Sequence, residues 1–181
     1  MLHFIKFIIS LLLIFSAGNI LIGQQVIEDI GHYSQIGLPI AALGISIAKG
    51  DKDGTIQLLK SFAVETVLVL GLKRGVNRTR PNGRPYSFPS GHTAISFMSS
   101  TYLWKRYGWE YGIPSTVVAA FVGYSRFGLE ERVHYFSDVV AGIVIGAGSS
   151  WIFTKKREQQ IKLDVIGDLS YLGLNLKVNL N

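Results

Sequence analysis

Six apolar stretches, separated by glycine, proline or charged residues, account for most of the first 154 residues. They are residues 1–23 and about 36–48, 56–72, 92–107, 113–125 and 137–154. The last five show helical rather than alternating spacing of apolar side chains, and the residues between them are typical of turns. The sequence therefore predicts an all-α fold, a bundle of about six helices.

The N-terminal stretch, residues 1–23, is interrupted only by isolated polar residues. It has the features of a signal peptide, with Lys6 near its start and the small residues Ser16-Ala17-Gly18 near its end, and it is also long enough for a first membrane helix. Both interpretations direct the rest of the chain to a membrane or across it. The predicted divisions are 1–23 for this segment, 24–158 for a helical domain and 159–181 for a C-terminal extension.

The C-terminal extension follows a different pattern. From residue 172 to residue 181, leucine or valine alternates with glycine, asparagine or lysine. This period of two predicts a β-strand, and residues 161–166 are its expected partner across a turn at Gly167-Asp168. The extension is therefore predicted to form a small β-hairpin.

Two features favour helices packed on one another, with at most one N-terminal membrane segment, over six membrane spans. The 56–72 stretch carries Lys60 and Glu65, which a lipid-facing helix would avoid. The 113–125 stretch, with Pro114 expected in its first turn, would be about 20 Å long, shorter than a hydrocarbon core of about 30 Å. Under either topology the loops that carry the polar motifs lie on one face, away from the cytoplasm.

Positive charge is concentrated between residues 73 and 132. The chain has a formal net charge of +6 and no cysteine, which favours anionic partners and excludes disulfide or thiolate chemistry. Seven cations fall in this region: Lys73, Arg74, Arg78, Arg80, Arg84, Arg126 and Arg132. They alternate with glycine and proline rather than with stacking aromatic residues, which argues against a nucleic-acid partner.

Three polar motifs in this region suit a phosphate-like anion. Lys73 and Arg80 are seven residues apart, which would place both on one face of a helix that ends at Pro81. Ser90-Gly91-His92 opens a helical stretch, where free backbone N–H groups attract an anion. Arg126 would add a bidentate guanidinium. Together these residues predict an anion site built from protein cations.

A candidate acid-base pair accompanies the anion site. His134 and Asp138 are four residues apart, so both are expected on one face at the start of the last helix. The carboxylate would fix one ring nitrogen of His134 and leave the other free to attack, while His92 would protonate the leaving group. Two histidines and an aspartate could also bind zinc, but three cations directed at the same site would repel it. No metal or other cofactor is therefore expected.

The same motifs resemble the type 2 phosphatidic acid phosphatase family, whose superfamily also contains bacterial acid phosphatases and vanadium haloperoxidases. The family signature is Lys, six residues, Arg-Pro; then Pro-Ser-Gly-His; then Ser-Arg, five residues, His, three residues, Asp. Residues 73–81, 89–92 and 134–138 match it in spacing, but seven residues rather than five follow the Ser-Arg pair at 125–126. We expect a two-residue insertion in a surface loop around residues 130–131.

The resemblance implies the helical fold of that family and a role for each matching residue. His134 would form a phosphohistidine, Asp138 would support it, and His92 would act first as general acid and then as base for water. The residues implied to hold the phosphate are Lys73, Arg80, Ser90, Gly91 and Arg126.

The function implied is that of a metal-independent phosphatase acting on a phosphomonoester or pyrophosphate in a bacterial-type cell envelope. It would be membrane-associated or periplasmic, in contact with a membrane surface or bilayer. Favoured substrates are lipids such as phosphatidic acid, phosphatidylglycerol phosphate, undecaprenyl pyrophosphate or a lipid A phosphate. Two alternatives are a nonspecific periplasmic acid phosphatase and a non-catalytic membrane protein that binds an anion or phospholipid. The sequence determines neither the lipid nor the oligomeric state.

Overall fold

The computed structural model describes the backbone of residues 2–129, 133–157, 161–168 and 171–178, and the side chains of residues 23–129 and 133–157. Within that part of the chain, five α-helices precede two β-strands. They are α1 (Leu2–Ala48), α2 (Lys52–Val76), α3 (Gly91–Tyr107), α4 (Trp109–Phe127), α5 (Phe136–Phe153), β1 (Ile161–Asp168) and β2 (Tyr171–Val178).

The expected number of six helices is wrong, because the first two apolar stretches lie in a single helix. That helix, α1, is 47 residues long. The residues between the two stretches include Gln24, Gln25 and Glu28, which are good helix formers, and contain no proline. The polar residues between the two apolar stretches therefore do not end the helix. The other four stretches each form one helix, as expected.

Local side-chain interactions determine where α2 and α3 begin. Asp51 accepts a hydrogen bond from the Gly54 N–H at 2.9 Å, and Ser90 accepts one from the Thr93 N–H at 3.5 Å. Each interaction satisfies a first-turn N–H group that has no partner within its own helix. At its other end α2 stops at Asn77, whose backbone is left-handed with φ 45°. The chain therefore leaves the helix before it reaches Arg80.

α3 occupies the centre of the bundle and packs against the other four helices. Its closest neighbour is α5, which approaches at Gly142 and Gly146. A Cβ atom added at these positions would overlap the backbone carbonyls of Ser90 and Ala94. Glycine thus permits the short distance between the two helices, and a larger residue would separate them.

A buried ion pair closes one end of the bundle. Arg106 donates through Nε to Oδ2 of Asp51 at 2.7 Å, and Tyr107 donates its hydroxyl to the same oxygen at 2.9 Å. Burial alone would raise the pKa of Asp51, but the hydrogen bonds from Arg106, Gly54 and Tyr107 lower it to about 2. The pair joins the turn between α1 and α2 to the last turn of α3.

The structure weakens two sequence-based arguments against membrane spans, the short length of the 113–125 stretch and the charge of Glu65. α4 begins at Trp109, so Pro114 lies inside the helix and not in its first turn, contrary to expectation. At 19 residues, α4 is about 28 Å long. Glu65 is only 3% exposed and faces the bundle interior, where acidic residues of membrane helices are found. Neither the length of α4 nor the charge of Glu65 therefore excludes a membrane location.

The outer surface of the helices is strongly apolar. Val67 on α2, Val117 on α4 and Ile152 on α5 are 70%, 64% and 74% exposed. Among the helices that the structure describes, α2 and α5 have the length and composition needed to cross a membrane. Exposed apolar surface on several helices marks a contact with lipid or with another protein.

The two strands pair antiparallel, with Ile161 opposite Val178 and Asp168 opposite Tyr171. β1 includes Gly167 and Asp168, the residues that the sequence pattern places in the turn. Residues 169–170, which connect the strands, lie outside the described residues.

Candidate active site

The polar motifs meet at the end of the bundle opposite the Asp51–Arg106 pair. Antiparallel packing brings the C-terminal ends of α2 and α4 together with the N-terminal ends of α3 and α5. The middle of α1 passes the same place, because Glu28 and His32 contact residues of α4 and α3. Five elements therefore contribute side chains to one site.

Asp138 is the most enclosed charge of this site and is fully buried. Its carboxylate accepts hydrogen bonds from Nη1 of Arg78 at 3.0 Å, from the backbone N–H of Tyr135 at 3.0 Å and from the hydroxyl of Ser87. The Arg78 guanidinium also stacks on the ring of Tyr135, 3.9 Å from its centroid. These contacts satisfy the buried carboxylate and fix its position, as a buried charge requires.

His134 lies beside this carboxylate. It precedes α5, which begins at Phe136, so the expectation that it belongs to that helix is wrong. Its ring is 2% exposed, with Nδ1 3.6 Å from Oδ2 of Asp138 and 3.5 Å from the hydroxyl of Ser87. Burial, followed by the charges of Arg80 and Lys73, lowers the pKa of His134 to about 4, against the opposing effect of Asp138. The imidazole is therefore neutral at neutral pH.

Lys73 and Arg80 reach the site in different ways. Lys73, in the last turn of α2, donates through Nζ to the carbonyl oxygens of Tyr86 and Pro89 at 3.0 and 2.8 Å. Arg80 lies in the loop beyond α2, so the expectation that both residues share one helix face is wrong. It returns to the site through a turn, in which the backbone N–H of Arg80 donates to the carbonyl oxygen of Arg84 and the N–H of Gly83 donates to the carbonyl oxygen of Arg80. Nε of Arg80 is buried and has no hydrogen-bond partner among the described residues.

Ser90, Gly91 and His92 occupy the cap and the first two positions of α3, as expected. The backbone N–H of Ser90 donates to the carbonyl oxygen of Asp138 at 2.9 Å, which joins the start of α3 to the first turn of α5. The first-turn N–H groups of a helix carry partial positive charge and attract anions. This end of α3 therefore adds to the positive field of the site.

Arg126 is nearly enclosed, with 4% of its surface exposed. Its guanidinium donates through Nη2 to the backbone carbonyl of Glu28 at 2.9 Å and through Nε to the hydroxyl of Ser125 at 3.0 Å. The carbonyl of Arg126 in turn accepts a hydrogen bond from the backbone N–H of His134 at 3.1 Å. Arg126 and His134 therefore remain hydrogen-bonded through their backbones despite the two extra residues between them. The predicted insertion point, residues 130–131, lies outside the described residues.

Sequence reasoning missed four residues that contact this site: Glu28, His32, Arg78 and Ser87. Arg78 and Ser87 lie within the motif region, where a polar residue near a buried carboxylate could have been proposed as its partner. Glu28 and His32 lie on α1, far from the motifs in sequence. Their sequence positions offered one indication of a shared role, since they are polar residues four positions apart, hence on one face, in a mainly apolar helix.

The charge balance of the site favours an anion. Four cationic side chains outnumber two carboxylates, those of Asp138 and of Glu28, whose Oε1 lies 3.9 Å from Nη1 of Arg126; the cations are Lys73, Arg78, Arg80 and Arg126. Among the residues whose side chains are described, no group of three His, Asp or Glu residues is placed to hold a metal ion.

The sequence signature described as the PAP2 superfamily matches residues 82–162. That range contains the start of α3, the Ser-Arg pair and both residues of the His134–Asp138 contact. This part of the chain is similar to the PAP2 superfamily.

Related proteins extend the PAP2 similarity over most of the chain. The lipid A 4'-phosphatase of Helicobacter pylori strain J99 is 26% identical over 146 residues, which are 74% of this chain and 72% of that protein. The crystal structure of Aquifex aeolicus LpxE superimposes with a TM-score of 0.63 at 25% identity and covers 72% of this chain and 84% of the other. A transmembrane PAP2-type phosphatidylglycerolphosphate phosphatase from Bacillus subtilis gives a TM-score of 0.58 at 25% identity, covering 76% and 80%.

Proposed function

We propose that this chain is a member of the PAP2 superfamily and a metal-independent lipid phosphatase that works through a phosphohistidine on His134. The observation that carries the proposal is the unneutralised positive charge around that ring. Arg80 presents a buried Nε without a partner among the described residues, and Arg80 and Lys73 both act on His134. A buried cation with an unused N–H group is stabilised when an anion binds.

The first chemical step is an attack on phosphorus by His134. Because Nδ1 faces Asp138, Nε2 is the nitrogen that forms the bond to phosphorus. The bond from phosphorus to the leaving oxygen breaks, and that oxygen takes a proton from His92. In the second step a water oxygen attacks phosphorus, the bond to Nε2 breaks, and His92 takes the proton of the water.

The remaining predicted residues stabilise charge on the phosphoryl oxygens. Lys73, Arg80 and Arg126 supply fixed cations, and Ser90 and Gly91 supply the first-turn end of α3. Asp138 holds His134 in one tautomer and stabilises the positive charge that develops on its ring. Protein cations thus perform the task that metal ions perform in other phosphoryl-transfer enzymes.

A lipid substrate is favoured by an apolar groove next to the site. It has a volume of about 380 Å³ and lies between α1, α2 and α3, starting at Gln35, one turn of α1 beyond His32. Its apolar lining includes Pro39, Phe62 and Met98. We assign this groove to an acyl chain of the substrate, which would place the lipid phosphate near His92. The named relatives act on lipid A or on phosphatidylglycerolphosphate, and this chain's lipid belongs to the same chemical class.

The exposed apolar surface supports a location in a bacterial-type envelope membrane. The basic residues of the other end of the bundle lie close together, because Arg157 donates to the backbone carbonyls of Lys49 and Arg106. They have no part in the chemistry, so the excess of positive charge there marks the cytoplasmic side. The active site accordingly faces away from the cytoplasm. Residues 1–23 act as a signal peptide or membrane segment, 24–158 form the phosphatase domain and 159–181 a hairpin extension.

The proposal is tested by assaying the purified protein with a lipid phosphate and with a water-soluble aryl phosphate, both in excess chelator. We expect hydrolysis of the lipid phosphate and a trapped phosphoryl adduct that is acid-labile and base-stable. Equal activity on the aryl phosphate would favour a nonspecific acid phosphatase. Binding without turnover would favour the non-catalytic alternative, and loss of activity in chelator would overturn the metal-independent mechanism.

Substitution of His134 tests whether this residue carries the phosphoryl group of the adduct. His134→Ala should abolish it, whereas Ser34→Ala, a change at an α1 residue that does not line the groove, should leave it intact. An adduct that persists in His134→Ala would show that another group is the nucleophile.

A further inference from the structure

α1 reaches the active site through a short segment, residues 28–32. Nη2 of Arg126 donates to the carbonyl oxygen of Glu28 at 2.9 Å. One turn later, Gly31 is buried so closely against α4 that an added Cβ would overlap the side chain of Ser125. These two contacts fix both the distance and the register of α1 against α4.

Because the register of α1 against α4 is fixed, His32 lies beside His92. Nδ1 of His32 lies 3.3 Å from Nε2 of His92, and the ring centroids are 5.5 Å apart with an angle of 43° between the planes. At this distance one nitrogen must donate and the other accept. His32 is exposed, whereas His92 is partly enclosed by the site. The contact therefore links the proposed general acid to a residue outside the matched motifs.

The positive charges around His92 oppose its protonation. Arg126 on α4 and Arg80 in the loop after α2 place fixed positive charge on it, His134 is a further titratable neighbour, and His32 would add to the positive charge if it were itself protonated. Glu28 on α1 lies 3.9 Å from Arg126 and opposes part of that charge. Lys73 on α2 and Asp138 on α5 belong to the same site. A general acid must carry a proton, and nearby cations oppose that charge. A neutral hydrogen-bond acceptor favours the protonated form without adding charge.

We propose that His32 is a positioning residue for His92: its Nδ1 accepts a hydrogen bond from Nε2–H of protonated His92 and holds on that ring the proton that the leaving group needs. The other ring nitrogen of His92, Nδ1, then donates to the leaving oxygen. This inference rests on the proposed phosphatase function. It adds to that function a residue of α1 that the motifs do not include.

The kinetic test compares His32→Ala and His32→Asn with the unaltered protein. Asn is the conservative variant, since its side-chain oxygen can take the position of Nδ1. On a lipid phosphate, whose alkoxide is a poor leaving group, we expect His32→Ala to lower kcat about 3- to 10-fold and to move the alkaline limb of the kcat profile to lower pH. His32→Asn should keep a higher kcat than His32→Ala and should shift the alkaline limb less. On an aryl phosphate, whose leaving group needs little protonation, kcat should change less than about 2-fold.

Ser34→Ala, two residues away on α1, is the control for a general disturbance of the helix and should behave as the unaltered protein. An equal loss on both substrates, or a change confined to KM, would overturn the inference and assign His32 to packing or to substrate binding.

A second measurement does not depend on turnover. The chain has four histidines, so the ring ¹⁵N resonances of His92 can be assigned by single substitutions. We expect Nε2 of His92 to shift by several ppm in His32→Ala, because it loses its hydrogen bond. An unchanged resonance in an active protein would overturn the role of His32 and leave the proposed phosphatase function standing. An unaltered protein that releases phosphate from no substrate would overturn the proposed function and, with it, the role of His32.

Discussion

Nη1 of Arg78 donates a hydrogen bond to Oδ1 of Asp138 at 3.0 Å, although the two residues are 60 positions apart. Arg78 is partly exposed and Asp138 is fully buried, so the guanidinium covers the carboxylate from the solvent side. Asp138 is thereby held by three donors, the hydroxyl of Ser87, the N–H of Tyr135 and this guanidinium. The position of the carboxylate, and of the ring beside it, depends on a residue outside the family signature.

Replacing Arg78 by alanine should lower kcat with little change in KM. Loss of a hydrogen bond to a charged group costs about 1.5–3 kcal/mol, which corresponds to roughly 10- to 150-fold in rate if it acts on the chemical step. Arg74→Ala, which removes an exposed arginine from the last turn of α2, is the matched control and should retain near-normal kcat. A tenfold rise in KM without a fall in kcat would instead place Arg78 in substrate binding.

The pH dependence of kcat/KM should report the lowered pKa of His134. The neutral ring is the nucleophile, so activity is lost as pH falls through its pKa, which is about 4 rather than the ordinary 6.5. Lys73→Met removes one of the charges that lower this pKa and should move the acid limb upwards. The comparison uses one substrate for both proteins, so that ionisation of the substrate phosphate contributes equally. Coincident acid limbs would contradict this prediction.

The parts of the site that the sequence predicted depend on local structure. Ser90 caps α3 because a side-chain oxygen at that position satisfies a first-turn N–H, a relationship visible within four residues. The pairing of Lys73 and Arg80 was predicted for a wrong reason. Asn77 ends α2 early, and the Arg80–Arg84 turn brings Arg80 back by a path that helical periodicity cannot show.

The contribution of α1 could not be predicted in the same way. The contacts of His32 with His92 and of Glu28 with Arg126 join residues 60 and 98 positions apart. Packing over such separations leaves no periodic pattern in a single sequence. The number of helices was wrong for a related reason, since a change from apolar to polar residues was interpreted as an interruption although good helix formers continue α1.

The buried Asp51–Arg106 pair should contribute to stability and not to catalysis. Asp51→Ala leaves the Arg106 guanidinium, which is 8% exposed, without its carboxylate. Removing one partner of a buried pair costs about 3–5 kcal/mol, so the melting temperature in detergent should fall while kcat of the folded protein is retained. Replacing both residues by apolar ones should recover only part of the loss, because the Gly54 N–H and the Tyr107 hydroxyl still lose their acceptor. A double variant as unstable as Asp51→Ala would contradict this explanation.

The same pair predicts how stability depends on pH. The pKa of folded Asp51 is about 2, below its ordinary value of 3.8. Its contribution is therefore complete above about pH 4 and is lost as pH falls towards 2. The difference in melting temperature between the unaltered protein and Asp51→Ala should narrow over that interval. Curves that stay parallel from pH 5 to pH 2 would show that Asp51 is not the titrating group.

Filling the apolar groove should separate lipid binding from chemistry. Leu59 lines the groove and is 53% exposed, so Leu59→Trp can occupy the groove without disturbing the core. Displacing about one or two methylene groups of an acyl chain should raise KM for a lipid phosphate about 3- to 10-fold, with no change in kcat for an aryl phosphate. Leu70→Trp, at a similarly exposed position of α2 that does not line the groove, is the matched control. If both variants bind the lipid equally well, the acyl chain lies elsewhere on the bundle, and the groove has no part in substrate selection.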